Sequence, residues 1–342
     1  MLYPAGGMAG ILFAGYLVHR FGSKVVNSAC FIITGVGFFM LGQAMELNNI
    51  MLAVTCLFVM GIAMSVSDYQ GNFEATNVDR ASKHSLFPAI HGTFGVGMLL
   101  GAGVASLFIN NGVSLASSYA IVAVVIVVVS LLASFTFPKI KFAAENKAQK
   151  AKVREQTIKV WFEKRTLLIA LVGFAFIMAE MSAGVWVPIA LTQSGFAAAE
   201  AASAFGILWI VITIARLLGG YVVELLGRFR VVLISTIVTS IGILIFMNVE
   251  TLHLPYLGLI IWGFGFALGF PMSVMSMGDD PEMAPPRVNM IISVVYIASV
   301  TVGPALGSVG QIFGIYVAFA IPLAVIILAG ILSPVTKPLT SR

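Results

Sequence analysis

Ionisable side chains are scarce in this chain, and the densest group that could do chemistry lies in the run DYQGNFEATNVDRASKHSLFPAIHGTFGVGMLLGAG, residues 68–103. Asp68, Asn72, Glu74 and His91 fall beside or within two otherwise apolar stretches. Charged groups in hydrocarbon are costly and face a bundle interior or an aqueous path, which makes them functional candidates by default. Gly61, Ser65, Asp68 and Asn72 recur at helical spacing and share one face, while Gln70 and Glu74 form an i,i+4 pair on another. At ~1.5 Å per residue, Asp68 lies roughly 15 Å from the basic end of its helix and Glu74 near the interface. His91 reaches a comparable depth on the next helix. An adjacent carboxylate and imidazole could hold or relay one proton, so Asp68 and His91 are the expected proton-coupling pair. The competing readings are that Asp68 braces a neighbouring helix and that His91 is hydrogen-bonded to one. Asn72 is a candidate solute contact, and Glu74 an expected partner for Arg20 or Arg80 in an inner gate.

The second half of the chain supplies Glu180, ~22 Å along its helix, with Gly184 and Trp186 close by in sequence. Trp209 and Tyr296 also fall near the middle of their spans. An acid beside aromatic rings in a cavity suits a polar, sugar-like or cationic solute, so Asn72, Glu180, Trp209 and Tyr296 form the expected substrate cavity. The competing reading for the aromatics is plain packing. Arg216, a basic residue inside a span, reads as a snorkelling or gate-bracing side chain near the inner end.

The elements that must position these residues follow from composition. Hydrophobic residues make up 59% of 342 positions, charged ones 10%, and the mean hydropathy is +1.03. No soluble domain could cover such a chain with polar surface. Apolar stretches of roughly 20 residues match a helix crossing ~30 Å of hydrocarbon, where barrel strands would be half as long and would alternate. The expectation is an all-α polytopic membrane protein with eleven transmembrane helices, at residues 2–17, 25–45, 50–76, 86–109, 117–137, 166–191, 201–225, 231–249, 254–276, 288–310 and 312–332. The net charge of +5 does not call for nucleic acid, because the basic residues sit in loops that flank the membrane. Cys30 and Cys56 read as small core residues. A GxxxxGK[ST] loop, a metal-ligand cluster, a GxSxG elbow and an HExxH motif are all missing from the sequence, so no cofactor, metal or enzymatic activity is expected.

Basic residues fall on alternate loops, including Arg20, Lys24, Arg80, Lys83, the 139–165 cluster, Arg228, Arg230, Arg287, Lys337 and Arg342. The positive-inside rule then puts the C-terminus in the cytoplasm and Met1 on the outer side. The polar segment 138–165 divides the chain into an N-terminal bundle, 1–137, and a C-terminal six-helix bundle, 166–342; its EQTIKVWFEK could lie at the inner surface as an amphipathic helix anchored by Trp161 and Phe162. A weak repeat supports this division. GYLVHRFGSK contains Gly15, Arg20 and Gly22, and GYVVELLGRFR contains Gly220, Glu224, Gly227 and Arg228, each in a tight turn between two spans. Repeated bundles related by an axis along the membrane normal are a transporter arrangement. Glycine pairs suggest close helix approach at Gly6xxxGly10, Gly97xxxGly101 and Gly303xxxGly307, and the series Gly263, Gly265, Gly269, Pro271 predicts a bent or unwound helix.

GYLVHRFGSK resembles the loop signature of the major facilitator superfamily, and GYVVELLGRFR its second-half echo. DYQGNFEATNVDR, LFPAIHG and the acid-then-Trp pattern at Glu180 are similar to the fucose permease-like branch. The resemblance implies two pseudo-symmetric six-helix halves, alternating access and, commonly, proton coupling. It also makes the first and tenth spans here an interdomain hinge pair. Against that pattern the family's first helix is absent, and His19 stands where the first turn motif usually has an acid. The expected function is secondary active transport of a small polar, sugar-like solute with protons, by a monomer in a bacterial inner membrane. A proton-driven drug or metabolite efflux antiporter is the alternative; such members carry an Arg where Leu57 falls and a Gly-Pro-Gly motif, whereas GTFGVGMLLGAG lacks the proline. A further alternative is a truncated, non-transporting remnant or scaffold.

Overall fold

Each expected span is helical in the computed structural model, which describes residues 2–136, 155–248 and 254–339. The helices are α1 (Leu2–Phe21), α2 (Ser23–Glu46), α3 (Ile50–Ala81), α4 (Phe87–Asn110), α5 (Leu115–Ser134), α6 (Lys164–Gln193), α7 (Ala198–Leu226) and α8 (Arg228–Met247). The chain continues through α9 (Pro255–Phe266), α10 (Gly269–Met277), α11 (Ala284–Phe313), α12 (Ile315–Ala318) and α13 (Ala320–Leu332). Ten helices or joined helix pairs among the described residues are long and apolar enough to cross a membrane. The remaining expected span is α1, a helix of 20 residues. Of the expected linker, residues 138–154 lie outside the described residues, as do Glu250 and Arg342. Its end is helical over 155–159 and continues as the 3-10 turn Val160–Phe162, where Val160 is buried and the Phe162 ring is exposed.

The expected break in the ninth span falls at Ala267 and Leu268, between α9 and α10. Pro271 lies four residues after Ala267 and has no N–H to give its carbonyl, so the ladder fails there. Pro285 and Pro286 open α11, where a missing N–H costs nothing.

Two compact units are present. The first comprises Met1–Glu74, Gly101–Lys159 and Pro285–Tyr296; the second comprises Ala75–Leu100, Val160–Ala284 and Ile297–Arg342. Within the first, α1 lies against α3 so closely that a Cβ at Gly6 would meet the Phe58 carbonyl and one at Gly61 the Tyr3 carbonyl. Gly6xxxGly10 therefore serves α3, and a Cβ at Gly303 would meet nothing within 4 Å. The Gly97xxxGly101 expectation is likewise corrected. Both positions are open, and it is Gly92 and Gly95 that pack on Leu217 and Thr213 of α7. In the second unit, Phe246, Trp262 and Phe319 form an aromatic knot, with ring centroids 5.5–6.0 Å apart.

The repeated turn motifs adopt the same backbone. Gly22 has φ 79 and ψ 153, and Gly227 has φ 75 and ψ 154. In both turns the glycine N–H donates to the residue four before, at 2.9 Å to Val18 and 2.8 Å to Val223. That conformation is essentially closed to side chains. Gly22→Ala and Gly227→Ala are each expected to cost about 1–3 kcal/mol, read as a lower melting temperature of the detergent-purified chain. Gly97→Ala, on an open helical face, should change stability by less than about 0.5 kcal/mol.

Candidate functional site

The face of α3 that carries Ser65, Asp68 and Asn72 forms as the spacing predicts, but its members differ in what they can offer. Ser65 turns its hydroxyl onto the Ile62 carbonyl at 3.0 Å, and Asn72 returns its amide to the Asp68 carbonyl at 2.9 Å. The Asp68 side chain is exposed although it sits near the middle of a 32-residue helix. Its one partner among the described residues is the Tyr296 hydroxyl of α11, at 3.5 Å. No cation among the described residues pairs with this carboxylate.

His91 is placed by α4, whose N-terminus is built by Asp79. That carboxylate accepts from the N–H groups of Leu86 and Phe87 at 2.8 and 3.0 Å. An acid at a helix N-terminus satisfies otherwise orphaned donors and matches the helix dipole. The imidazole lies between the rings of Phe87 and Phe270, with centroids 4.7 and 5.8 Å away. Asp68 and His91 belong to different compact units.

In the second unit Glu180 of α6 receives Arg216 Nη2 of α7 at 2.6 Å, and the Arg216 Nε donates to the Ala267 carbonyl at 3.0 Å. Arg216 is 4% exposed. This corrects the expectation of a snorkelling Arg. The guanidinium is the counter-ion of Glu180 and also supplies the donor that Pro271 withholds from Ala267, so one side chain ties α6, α7 and the α9–α10 break together. Trp209 is packed between Phe94 and Phe205, with centroids 5.5 and 6.1 Å away. Among the described residues nothing pairs with its indole N–H.

The motif residues gather at the basic end of the helices. Glu74 accepts the hydroxyl of Ser23, the first residue of α2, where the expectation was a guanidinium. Arg80 donates to the Asn77 side chain at 2.8 Å, and Arg20 lies over the Phe21 ring. A Cβ at Gly220 would strike the Ser85 carbonyl, whereas Gly15 has more room, its nearest neighbour being the Tyr69 hydroxyl at 3.6 Å. Glu224 accepts the Ser85 N–H at 2.7 Å and faces His84 Nδ1 at 3.3 Å. Arg228 pairs with Asp279 at 2.6 Å, and Asp279 also takes Arg165 at 2.8 Å. Asp279 was missed in the sequence, although GDDPE beside the basic turn was a usable signal. No group of three or more His, Cys, Asp or Glu among the described residues could hold a metal ion.

Comparison with known proteins bears on this arrangement. The family model described as Major Facilitator Superfamily matches residues 1–288. An uncharacterised MFS-type transporter of Yersinia pestis is 27% identical over 265 residues, covering 77% of this chain and 67% of the relative. Among solved structures, the transporter FucP in the outward conformation has a TM-score of 0.83 at 16% identity, over 98% of this chain and 89% of that one. The proton:xylose symporter XylE bound to 6-bromo-6-deoxy-D-glucose has a TM-score of 0.74 at 14% identity, over 96% and 83%. At these identities the likeness is one of fold.

Removing one partner of a buried ion pair leaves an uncompensated charge. Arg216→Met should therefore lower the stability of the purified chain by about 3–5 kcal/mol, and adding Glu180→Gln should recover in thermal unfolding the part due to the unpaired charge but not the part due to the Ala267 carbonyl.

Proposed function

Because the chain belongs to the Major Facilitator Superfamily, we propose that it moves a small polar, sugar-like solute across a bacterial inner membrane by alternating access, in symport with protons that load Asp68. The accessible, cation-free Asp68 carboxylate carries this reading. FucP of E. coli is a fucose:proton symporter and XylE a proton:xylose symporter, which supports both the solute class and the coupling ion. In this proposal the bundles 1–137 and 166–342 alternate access to the solute in a monomer whose C-terminus is cytoplasmic, and the protein does no covalent chemistry. Asn72 and Tyr296 of the first unit, and Glu180 and Trp209 of the second, are the side chains proposed to meet solute. His91, between the rings of Phe87 and Phe270, is given no part in the coupling step.

The chemistry required is small. An ionised carboxylate in the path is expensive, so protonation or an arriving solute hydroxyl lowers the cost of carrying it through the closed state. Glu180 has a counter-ion within its own unit, Arg216 Nη2 at 2.6 Å, whereas Asp68 has none among the described residues.

The test uses purified chain in liposomes with an imposed inward proton gradient and radiolabelled L-fucose or D-xylose. Wild-type vesicles are expected to accumulate sugar above the equilibrium level. Asp68→Asn should abolish accumulation while leaving exchange of labelled for unlabelled sugar. Gradient-driven accumulation that survives Asp68→Asn would remove Asp68 from coupling, and an outward sugar flux driven by inward protons would replace symport by the efflux reading.

A further inference from the structure

We infer that Tyr296 is the positioning residue through which the charge on Asp68 holds the inner half of α11 against α1 and α3, so that neutralising the carboxylate frees that half of the helix. The inference rests on the reading of Asp68 as the coupling group and adds how its charge is converted into movement.

Three contacts along one face of α11 carry it. Asn289 Nδ2 donates to the Ile11 carbonyl of α1 at 3.0 Å. Two turns further on, the Tyr296 ring lies on Gly7 of α1 so closely that a Cβ there would overlap the ring. The hydroxyl of the same side chain then reaches Asp68 Oδ2 of α3 at 3.5 Å. Tyr296 is also the last residue of α11 assigned to the first unit, since Ile297 onward belongs to the second. The helix changes allegiance at the residue that touches the carboxylate.

Ring and hydroxyl have separable duties. The ring, 8% exposed, supplies packing that no charge alters. The hydroxyl supplies a bond whose strength depends on its acceptor, because a bond to an ionised carboxylate is roughly twice as strong as one to a neutral acid. At 3.5 Å it lies at the outer edge of hydrogen bonding, where a small displacement either makes it or loses it. The titratable groups facing Asp68 are Tyr296 from α11 and Tyr3 from α1, with no basic residue paired to it among the described residues. Among the described residues Asp68 therefore has no counter-ion to mask its change of charge.

A double-mutant cycle on the detergent-purified chain tests this, with melting temperature read in alkaline and in acid buffer. Tyr296→Phe keeps the ring and is expected to lower the melting temperature by roughly 2–5 °C in alkaline buffer, with most of that difference gone in acid. In an Asp68→Asn background the hydroxyl should make no pH-dependent difference. An equal drop in both buffers, or a pH-dependent drop that persists with Asp68→Asn, would overturn the inference and leave Tyr296 as packing alone. The cycle needs no substrate. Its failure is therefore separate from failure of the liposome assay, which tests transport and coupling without reference to Tyr296.

Discussion

A charge inside a bilayer must be paired or must reach water, and this constraint divides the acids of the chain. Glu180 is paired: its counter-ion Arg216 is 4% exposed and is itself anchored on the Ala267 carbonyl. Asp68 has no cationic partner among the described residues, where it faces the hydroxyls of Tyr296 and Tyr3. A permanently neutralised acid suits a fixed framework, and an accessible acid without a cation suits a group that gains and loses charge. The rest of the fold serves to keep these two environments different.

The Arg216 arrangement also shows how a backbone defect is made tolerable at membrane depth. Pro271 leaves Ala267 without its donor, and a carbonyl in hydrocarbon with no partner costs several kcal/mol. A guanidinium has donors to spare, so it meets that demand while it pairs with Glu180. Asp279, shared by Arg165 and Arg228, plays a similar part at the basic end, where it gathers the start of α6, the turn before α8 and the segment after α10.

What could be read in the sequence follows from how local each signal is. The spans were legible because hydropathy accumulates over a contiguous stretch, and the break between α9 and α10 because Gly269 and Pro271 act on their own backbone. The turn repeat was legible for the same reason, and Gly22 and Gly227 share one conformation. The pairing of Glu180 with Arg216 was not legible, since it joins residues 36 apart on two helices whose relative rotation no local pattern encodes. Gly97 and Gly101 show the converse failure. Their spacing permits close approach but cannot say that a helix is there, and their faces are open. Glu74 found Ser23 rather than a guanidinium, while Arg80 is engaged by Asn77 and Arg20 lies over Phe21, pairings that no local spacing encodes.

The central claim is that Asp68 is the group whose proton changes during work. Infrared difference spectroscopy on the reconstituted chain across an acid step reads that group without a substrate. The account predicts a protonated-carboxyl stretch that appears on acidification and is missing from Asp68→Asn. An identical band in both proteins, or no band in either, would contradict it.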